Sequence, residues 1–447
     1  MAEAIKKRVL VVGLGETGYS CVNYLQQSGY DVSVADSRDV PPRLNDMKQH
    51  FGDIPLYTGP YSTSLFGEQD LLVVSPGVSL KHEAITAAMA QGVEVVGDVE
   101  LFVREARAPI VAITGTNGKS TVTALLGEMI RQGGFCVEVA GNIGVPVLDL
   151  LHKDVPDYYV LELSSFQLET TSSLQARVAT ILNISPDHLD RYTGIEEYAQ
   201  AKFRILAGAG TIIVNADDDR IMQAVPQHKP YTGFGAAVPQ RDEDFGLLLQ
   251  EDKTWLARGK QCLLPAAELI LAGRHNHINV LAALALGSAI DLPMDAMLRA
   301  AKSFPGLPHR NQLIKQQGDI AWIDDSKATN MGAAVAALRG QSRPVILIAG
   351  GEAKETDFAA LKEAVVEHAR AVILIGRDAA LLRQELQGSV ELLDAKDMYD
   401  AVQQALETAT SGDVVLLAPA CASFDMFRDY IHRGEVFQQA VEEATRA

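Results

Sequence analysis

The chain has 447 residues, of which 47% are hydrophobic and 21% charged, and its formal net charge is -18 at pH 7. This composition is typical of soluble globular proteins and excludes extended disorder, and the length predicts about three domains of roughly 150 residues each. The negative charge argues against general binding of nucleic acids or anionic membrane surfaces, because these polyanions would be repelled.

The cysteines and the N-terminal segment indicate the cellular compartment. The four cysteines are far apart and show no CxxC spacing, which predicts reduced thiols rather than disulfides or a zinc site. The N-terminal segment has only a short apolar run that ends in glycines, so we interpret it as a first strand and not as a signal peptide. We therefore expect a soluble, cytoplasmic monomer that does not insert into membranes.

Short β-branched runs alternate with helical patterns along the chain, which predicts an α/β fold with mostly parallel sheets. The first block contains the strands RVLVVG, YDVSVAD, DLLVVSPG and VEVVG. The second block contains IVAITG, CVEVAGN, YYVLELSS, VATILNIS and TIIVNADD. From Pro230 onward, the shorter segments YTGFG, FGLLLQ and TWLARG predict a small antiparallel portion of this second block.

A segment with two prolines and a glycine, SFPGLPHR at residues 303–310, predicts a linker. After it, IAWIDDSK, PVILIAGG, AVILIG, SVELLD and DVVLLAPA define a third α/β block. We therefore predict three domains, at residues 1–98, 99–304 and 305–447.

The first glycine loop follows the first strand directly. Gly13, Gly15 and Gly18 have GxGxxG spacing, and Asp36 ends the next strand, where an acidic residue commonly meets a ribose hydroxyl. The following helix N-terminus offers N–H groups to a phosphate. The loop is compatible with NAD, with a UDP-sugar, or with simple packing of a strand on a helix. It indicates a diphosphate nucleotide more strongly than it indicates nicotinamide.

A second loop, GTNGKST at residues 115–121, follows the strand PIVAITG and precedes a helix. A usual P-loop has a glycine five residues before its Gly-Lys pair, and Ile113 occupies that position here, so the loop is a compressed form. Its backbone N–H groups can still cradle phosphates, and Lys119 can neutralise them. Because the hydroxyl of Ser120 or Thr121 can reach Mg²⁺, we expect ATP rather than NAD at this loop.

Acidic residues and a histidine follow two predicted strands of the second block. Glu162 ends the strand YYVLE, and Asp187, His188 and Asp190 follow the strand VATILNIS. These groups are candidates for Mg²⁺ binding at the ligand-binding edge of a parallel sheet. Helix capping is the alternative for the aspartates, and a structural role is the alternative for the histidine. Glu162 is harder to explain structurally, because burying an unpaired carboxylate is costly.

Taken together and in order, these motifs resemble the Mur ligase family of ATP-dependent, amide-forming enzymes. The matching motifs are GLGETG, SPGV, GTNGKST, LELSSFQL, NISPDHLDRY, GRHNHINVLAAL, PGLPHR and DDSKATN, which span essentially the whole chain. The resemblance implies a Rossmann-like N-terminal domain for a UDP-linked substrate, a central P-loop-type ATPase domain, and a Rossmann-like C-terminal domain for an amino acid.

The resemblance also implies the reaction. ATP would phosphorylate the carboxylate of UDP-N-acetylmuramoyl-L-alanine to an acyl phosphate, and the amino group of D-glutamate would attack it. A tetrahedral intermediate would then collapse and release phosphate beside ADP, as a step in bacterial peptidoglycan precursor synthesis. The chain has no DNPR-type segment like that of the relatives that add diaminopimelate or lysine, which favours glutamate.

Site residues are carried over from the resemblance position by position. The expected ATP-binding residues are Gly115, Thr116, Asn117, Gly118, Lys119, Ser120, Thr121, Asn276, Asn279, Arg310 and Asp325. The expected residues for the UDP-linked substrate are Gly15, Thr17, Asp36, Arg38, Gly77, Asn142, Ser164 and His188. The expected residues for D-glutamate are Lys327, Thr329, Lys354, Ser423 and Phe424.

The resemblance further implies two Mg²⁺ sites, with Ser120, Glu162, His188 and Lys202 as ligands. Lys202 would act as a carbamate, because CO₂ converts its cation into an anionic oxygen ligand that suits Mg²⁺. The expected catalytic residues are Lys119, Glu162, His188 and Lys202.

Several alternatives stay open at this point. Within the family, these are an L-alanine ligase and a folylpolyglutamate synthetase-like enzyme. Outside it, the chain could be an NAD-dependent dehydrogenase that uses the first glycine loop, or a nucleotide-regulated binding protein without turnover.

Overall fold

The structure is a computed structural model that describes residues 6–189, 191–271, 273–353 and 358–446. Three β-sheets follow one another along the chain, each covered by helices, and this confirms the predicted α/β class with mostly parallel strands. No helix within these ranges is long and apolar enough to cross a membrane.

The first sheet is fully parallel and has the strand order β3-β2-β1-β4-β5. Its strands are β1 (Arg8–Val12), β2 (Asp31–Asp36), β3 (Leu56–Thr58), β4 (Leu71–Val74) and β5 (Glu94–Val96). The helices of this part are α1 (Glu16–Gln27), α2 (Leu44–His50), α3 (Thr63–Gly67), α4 (Glu83–Ala90) and α5 (Asp98–Glu105). The strand order reverses between β1 and β4, so the loops after these two strands flank the crevice where open α/β sheets bind ligands.

The second sheet has nine strands in the order β14-β13-β12-β11-β10-β9-β6-β8-β7. Its strands are β6 (Ile110–Thr114), β7 (Val137–Gly141), β8 (Tyr158–Glu162), β9 (Val178–Ile181), β10 (Thr211–Asn215), β11 (Tyr231–Phe234), β12 (Phe245–Gln250), β13 (Lys253–Arg258) and β14 (Gln261–Pro265). Within the described part of this sheet, β12, β13 and β14 pair in antiparallel fashion, which confirms a small antiparallel portion. The prediction is wrong for YTGFG, because β11 pairs in parallel with both β10 and β12.

The helices of the second part are α6 (Lys119–Gln132), α7 (Ser165–Glu169), α8 (Ile195–Phe203), α9 (Asp219–Ala224), α10 (Arg274–Ser288) and α11 (Met294–Ser303). Short 3₁₀ turns cover Val147–His152, Arg204–Leu206 and Ala266–Glu268. Strand β6 is buried along its whole length between β8 and β9. The loops that follow these three strands therefore meet at one edge of the sheet, and this edge carries the site.

The third sheet has the order β15-β16-β20-β17-β18-β19, in which only the β15–β16 pair is antiparallel. Its strands are β15 (Gln312–Gln317), β16 (Ile320–Asp324), β17 (Val345–Gly350), β18 (Ala369–Ile375), β19 (Glu391–Asp394) and β20 (Val414–Leu417). The helices are α12 (Met331–Arg339), α13 (Ala359–His368), α14 (Ala379–Leu386), α15 (Met398–Thr408) and α16 (Tyr430–Ala444). The predicted linker lies between α11 and β15, because its prolines and glycine follow the end of α11.

Candidate active site

A first cleft of about 570 Å³ opens at the strand-order reversal of the first sheet. It brings together six of the eight residues predicted for the UDP-linked substrate: Gly15, Thr17, Asp36, Arg38, Gly77 and Asn142. The GxGxxG spacing has a steric reason, because Gly13 has φ +94° and a Cβ at Gly18 would lie 1.9 Å from the Gly13 carbonyl oxygen. Only glycine at both positions allows this tight approach of loop and helix.

The Asp36 carboxylate accepts hydrogen bonds from two residues that form this cleft's loops. Its Oδ2 accepts a hydrogen bond from the Leu14 N–H at 2.7 Å, and Arg38 Nε donates to its Oδ1 at 2.8 Å. Burial alone would raise the pKa of Asp36, but the hydrogen bonds from Arg38 and Leu14 outweigh it and lower that pKa. The carboxylate is therefore ionised and holds Arg38 at the rim, and its predicted contact with a ribose stays a prediction.

The compressed phosphate loop connects β6 to α6. Gly118 precedes the helix with φ +81°, and a Cβ there would lie 2.4 Å from Asn279 Oδ1. Thr116 Oγ1 accepts hydrogen bonds from the Ser185 N–H at 3.0 Å and from the Tyr198 hydroxyl at 3.2 Å. The loop is therefore held in place by the segment after β9 and by α8, and residues 116–120 line the second cleft at the N-terminus of α6, an arrangement that suits a phosphate.

Lys119, the first residue of α6, is folded over the phosphate loop. Its Nζ donates to the carbonyl oxygens of Gly115 at 2.9 Å and Thr116 at 2.8 Å. A phosphate at the helix N-terminus would meet both this ammonium group and the backbone N–H groups.

Glu162, at the end of β8, is almost completely buried. Its Oε1 accepts a hydrogen bond from Asn142 Nδ2 at 2.7 Å, whereas its Oε2 is buried with no hydrogen-bond partner in the described part of the chain. An unpaired buried carboxylate oxygen costs free energy and therefore calls for a ligand. This orphan oxygen faces the edge of the sheet that carries the phosphate loop.

Lys202 on α8 is 1% exposed and lies against the same loop. Its Nζ donates to the Gly115 carbonyl oxygen at 2.9 Å and lies 4.6 Å from the centre of the Tyr198 ring. Burial, and then the positive charge of Lys119, lower the pKa of Lys202 well below its usual range, although Asp187 and Glu162 partly oppose this shift. Burial therefore favours the uncharged, nucleophilic form of this amine.

Asp187 and His188 lie in the loop after β9. The His188 N–H donates to Asp187 Oδ1 at 2.9 Å, and His188 has the left-handed backbone angle φ 57°. Asn330 at the start of α12 donates to Asp187 Oδ2 at 3.1 Å, and the Phe166 ring packs edge-on against the His188 ring at 4.8 Å. Asp187 lies well before α8, so it does not cap that helix, and Asp190 falls outside the described residues.

A second cleft of about 810 Å³ collects these groups between the central and C-terminal parts. The sequence-predicted residues that line it are Thr116, Asn117, Gly118, Lys119, Ser120, Asn142, Glu162, Ser164, His188, Lys202, Arg310, Lys327 and Thr329. Ser164 caps α7 in a capping box with Gln167, which fixes the Ser164 hydroxyl at the cleft. No cluster of three or more His, Cys, Asp or Glu side chains around a common point occurs among the described residues.

A third cleft of about 350 Å³ lies on the other side of the phosphate loop. It is lined by the predicted ATP-binding residues Asn117, Gly118, Thr121, Asn276, Asn279, Arg310 and Asp325. Arg310 joins the two parts of the chain, because its Nη2 donates to Ser120 Oγ at 2.7 Å. Desolvation raises the pKa of the Asp325 carboxyl to about 7.

Of the residues predicted for D-glutamate, Lys327 and Thr329 line the second cleft, and the contacts of the other three with the amino acid stay a prediction. Lys354 falls outside the described residues. Ser423 is buried and Phe424 is exposed, and neither lines the three clefts. Ser423 and Phe424 lie in the connection between β20 and α16, and α16 begins at Tyr430, where Asp429 caps it by accepting a hydrogen bond from the His432 N–H.

Two residues at the start of α16 line the second cleft although the sequence did not single them out. They are Tyr430 and Ile431. The Lys327 ammonium lies 4.1 Å from the centre of the Tyr430 ring, so the helix start and the DDSKATN loop are in contact at the cleft. An aspartate cap before Tyr430 was the available sequence signal for this helix start.

Sequence profiles of one family match most of the chain. The profile "Mur ligase MurD-like, N-terminal domain" matches residues 7–97, "Mur ligase middle domain" matches 113–287, and "Mur ligase, glutamate ligase domain" matches 309–421. The chain belongs to the Mur ligase family.

Curated relatives extend the match over nearly the full length. UDP-N-acetylmuramoylalanine–D-glutamate ligase from Methylobacillus flagellatus is 50% identical over 444 residues, which cover 99% of this chain and 98% of the relative. The enzyme of that name from Pseudomonas aeruginosa is 47% identical over 438 residues, which cover 97% of each chain.

Solved structures share the fold at low sequence identity. MurF ligase from Thermotoga maritima in complex with ADP has a TM-score of 0.62 at 15% identity and covers 99% of this chain and 96% of its own. A pseudomurein peptide ligase type C from Methanothermus fervidus has a TM-score of 0.62 at 18% identity and covers 98% of this chain and all of its own. Both structures share the fold of this chain over nearly its whole length.

Proposed function

We propose that this Mur ligase joins D-glutamate to UDP-N-acetylmuramoyl-L-alanine in bacterial peptidoglycan precursor synthesis, with ATP as the energy source. It would act in the cytoplasm as a monomer, with residues 1–98, 99–304 and 305–447 as domains for the UDP-linked substrate, ATP and the amino acid. The similarity of nearly the whole chain to D-glutamate ligases supports the choice of amino acid.

The observation that carries the proposal is the continuity of the three clefts. Asn142 lines both the first and the second cleft, and Asn117, Gly118, Arg310 and Lys327 line both the second and the third. A nucleotide diphosphate in the first cleft can therefore extend its substituent into the second, where the phosphate loop presents the γ-phosphate of ATP. An NAD-dependent dehydrogenase would leave the phosphate loop and its lysines without a role.

The first chemical step would take place beside the phosphate loop. An oxygen of the alanyl carboxylate attacks the γ-phosphorus of ATP, the bond to the β–γ bridging oxygen breaks, and ADP and an acyl phosphate result. Lys119 and the N–H groups of the α6 N-terminus stabilise the charge that spreads over the transferred phosphoryl group. Ser164 and His188 line the cleft at the position where the carboxylate would be held.

The donors in the second cleft fit Mg²⁺. The orphan Oε2 of Glu162 is an anionic oxygen with no other hydrogen bond in the described residues, and Ser120, His188 and a carbamate on Lys202 would complete the donor set. Mg²⁺ commonly uses few protein ligands and takes the rest from phosphates and water, so the lack of a larger acidic cluster among the described residues is compatible with it. Bound there, Mg²⁺ would neutralise phosphate charge.

The carbamate would form on the uncharged Lys202 amine. Its nitrogen attacks the carbon of CO₂ and loses a proton, which leaves a buried carboxylate-like group beside Glu162 and Lys119. The low pKa of Lys202 supports this step, because only the free amine reacts with CO₂.

The second chemical step would use the C-terminal domain. Lys327, Thr329 and Tyr430 face the phosphate loop across the second cleft, where Lys327 can hold a carboxylate of D-glutamate. The amino nitrogen attacks the acyl carbon, and the tetrahedral intermediate collapses as the bond from carbon to the phosphate oxygen breaks. The amide and inorganic phosphate result, and enclosure between the domains keeps water from the acyl phosphate.

The test is phosphate release from ATP with UDP-N-acetylmuramoyl-L-alanine and a panel of single amino acids. We expect release with D-glutamate and little with L-glutamate, L-alanine, L-lysine or diaminopimelate. Release that is equal for all amino acids, or that needs none, would contradict the proposal.

A further inference from the structure

Arg191 connects the first cleft to the second, although none of the predicted site roles uses it. Its Nη1 donates to the Pro76 carbonyl oxygen at 2.7 Å, and its Nη2 donates to the Val78 carbonyl oxygen at 3.1 Å. These two carbonyl groups flank Gly77 in the loop after β4, and all three residues line the first cleft. A residue of the central domain therefore fixes the shape of a ligand-binding loop in the N-terminal domain.

The same guanidinium group also contacts the central domain. Its Nη2 donates to Glu169 Oε2 at 3.1 Å, and its carbon lies 3.9 Å from the centre of the Phe166 ring. The Arg191 side chain is only 12% exposed, so these charge-assisted contacts are shielded from water. Phe166 links Arg191 to the second cleft, because the Phe166 ring that contacts the guanidinium group also packs against the His188 ring.

We propose that Arg191 is a positioning residue that couples the loop at residues 75–78 to His188. It holds the loop that receives the UDP-linked substrate at a fixed distance from the loop of His188, so that the substrate's carboxylate is held in line with the phosphate loop. Arginine suits this role because its planar group donates in several directions and stacks on an aromatic ring at once, which lysine does not do. The inference rests on the proposed function for the identity of the substrate.

Lys81 offers a matched control at the same domain interface. Its Nζ lies 2.8 Å from Glu197 Oε1, so it also joins the N-terminal domain to the central domain, but its side chain is 56% exposed. An exposed ion pair of this kind contributes little. Lys81 Nζ also donates to the Arg191 backbone carbonyl oxygen at 3.3 Å, but in the described contacts it touches neither the Arg191 guanidinium group nor Phe166. Its removal therefore tests the interface while the contacts of the guanidinium group are kept.

The experiment compares Arg191→Met, Arg191→Lys and Lys81→Met with the wild type. We measure the Kd of UDP-N-acetylmuramoyl-L-alanine by calorimetry, the Kd of a non-hydrolysable ATP analogue without that substrate, and kcat and KM in the phosphate-release assay. Arg191→Met should weaken binding of the UDP-linked substrate about tenfold or more, since charged hydrogen bonds are lost, and should leave the Kd of the ATP analogue unchanged. Lys81→Met should change every value by less than about twofold.

A second variant tests the connection to His188. Phe166→Leu should lower kcat roughly tenfold through misplacement of His188 and leave the Kd of the UDP-linked substrate near that of the wild type. Arg191→Lys keeps the charge and serves as the test if Arg191→Met does not fold. We expect it to weaken binding of the UDP-linked substrate and to leave the Kd of the ATP analogue unchanged, as for Arg191→Met.

Three results would overturn the inference. The first is an unchanged affinity for the UDP-linked substrate in both Arg191 variants. The second is a loss of affinity for the ATP analogue in these variants that equals their loss for the UDP-linked substrate. The third is a loss of affinity for the UDP-linked substrate in Lys81→Met that equals the loss in Arg191→Met. Each would leave the proposed function intact, because that function is judged on wild-type turnover with D-glutamate, whereas Arg191 is judged on ratios of binding constants between variants.

Discussion

Replacement of Lys202 by alanine tests the arrangement of the second cleft, because it removes the buried side chain that we propose to carry the carbamate and to bind Mg²⁺. The side chain is 1% exposed and its Nζ donates to the Gly115 carbonyl oxygen at 2.9 Å. The substitution deletes three buried methylene groups, which at ~0.8 kcal/mol each costs about 2.4 kcal/mol of stability. Relief from burying the amine beside Lys119 offsets part of this cost, so the variant should fold.

The expected effect on activity is larger than the effect on stability. Loss of an anionic group beside the phosphate loop should lower kcat by at least ~10²-fold in the phosphate-release assay, as when an electrostatic group is removed from other active sites. The substitution also leaves a cavity of the shape of the lost side chain, so acetate or propionate should restore part of kcat. Wild-type activity should fall in CO₂-free buffer and recover on addition of bicarbonate.

Lys229 provides the matched control for this substitution. Its Nζ also donates to a backbone carbonyl, that of Ala209, but it does not line any of the three clefts. Lys229→Ala should keep kcat within about twofold of the wild type and gain nothing from acetate. Near-normal kcat in Lys202→Ala would contradict a role for this side chain. The carbamate would be contradicted if added carboxylates did not restore kcat and if wild-type activity did not depend on CO₂.

Three further predictions concern the nucleotide side of the site. Lys119→Met should lower kcat by ~10²–10³-fold, because the cation over the phosphate loop is lost, and unchanged phosphate release would contradict that role. Arg310→Met breaks the contact with Ser120 and should raise the KM for ATP about tenfold, so an unaltered KM would count against the contact. The pKa of Asp325, about 7, lies above its unfolded value, so the folded state binds the extra proton and wild-type stability falls as pH rises from about 4 to about 7. The gain in the urea midpoint of Asp325→Asn over the wild type should therefore grow from pH 5 to pH 8, and a pH-independent difference would contradict the burial of the charge.

Much of the fold is predictable from the sequence because its cause is local. Apolar runs such as Ile110–Thr114 are buried on both faces of a parallel sheet, and their residue types alone are enough to indicate this burial. The switch to shorter strands correctly predicts an antiparallel portion at FGLLLQ and TWLARG, since short neighbouring segments pair as hairpins, but it does not predict the parallel pairing of YTGFG. Glu162 is identifiable for a related reason, because an acidic residue at the end of an apolar strand needs an explanation.

The parts of the site that depend on long-range packing cannot be predicted from local sequence patterns. Lys202 lies on a helix and resembles any solvated lysine in the sequence, and only the packing of α8 against the phosphate loop buries it. The role proposed for Lys202 comes from the family resemblance, and its burial is visible only in the structure. Arg191 is similar, since its contacts with Pro76 and Val78 join residues more than 100 positions apart.

The start of the last helix shows a different limit. The sequence places Ser423 and Phe424 between a strand and a helix, and the contact of Phe424 with D-glutamate stays a prediction. In the structure, the segment from Ser423 makes local turns, and the helix starts only after Asp429. The aromatic residue that reaches the second cleft is consequently Tyr430, because the helix start and not the strand end faces the phosphate loop.

The central claim, that a carboxylate of the UDP-linked substrate is activated by ATP for attack by D-glutamate, is tested most directly by isotope transfer. UDP-N-acetylmuramoyl-L-alanine labelled with ¹⁸O in its alanyl carboxylate is incubated with the enzyme, ATP and D-glutamate, and the released phosphate is analysed by mass spectrometry. We expect one ¹⁸O atom in each phosphate, released only when D-glutamate is present. Unlabelled phosphate, or labelled phosphate that forms equally well with L-glutamate, would contradict it.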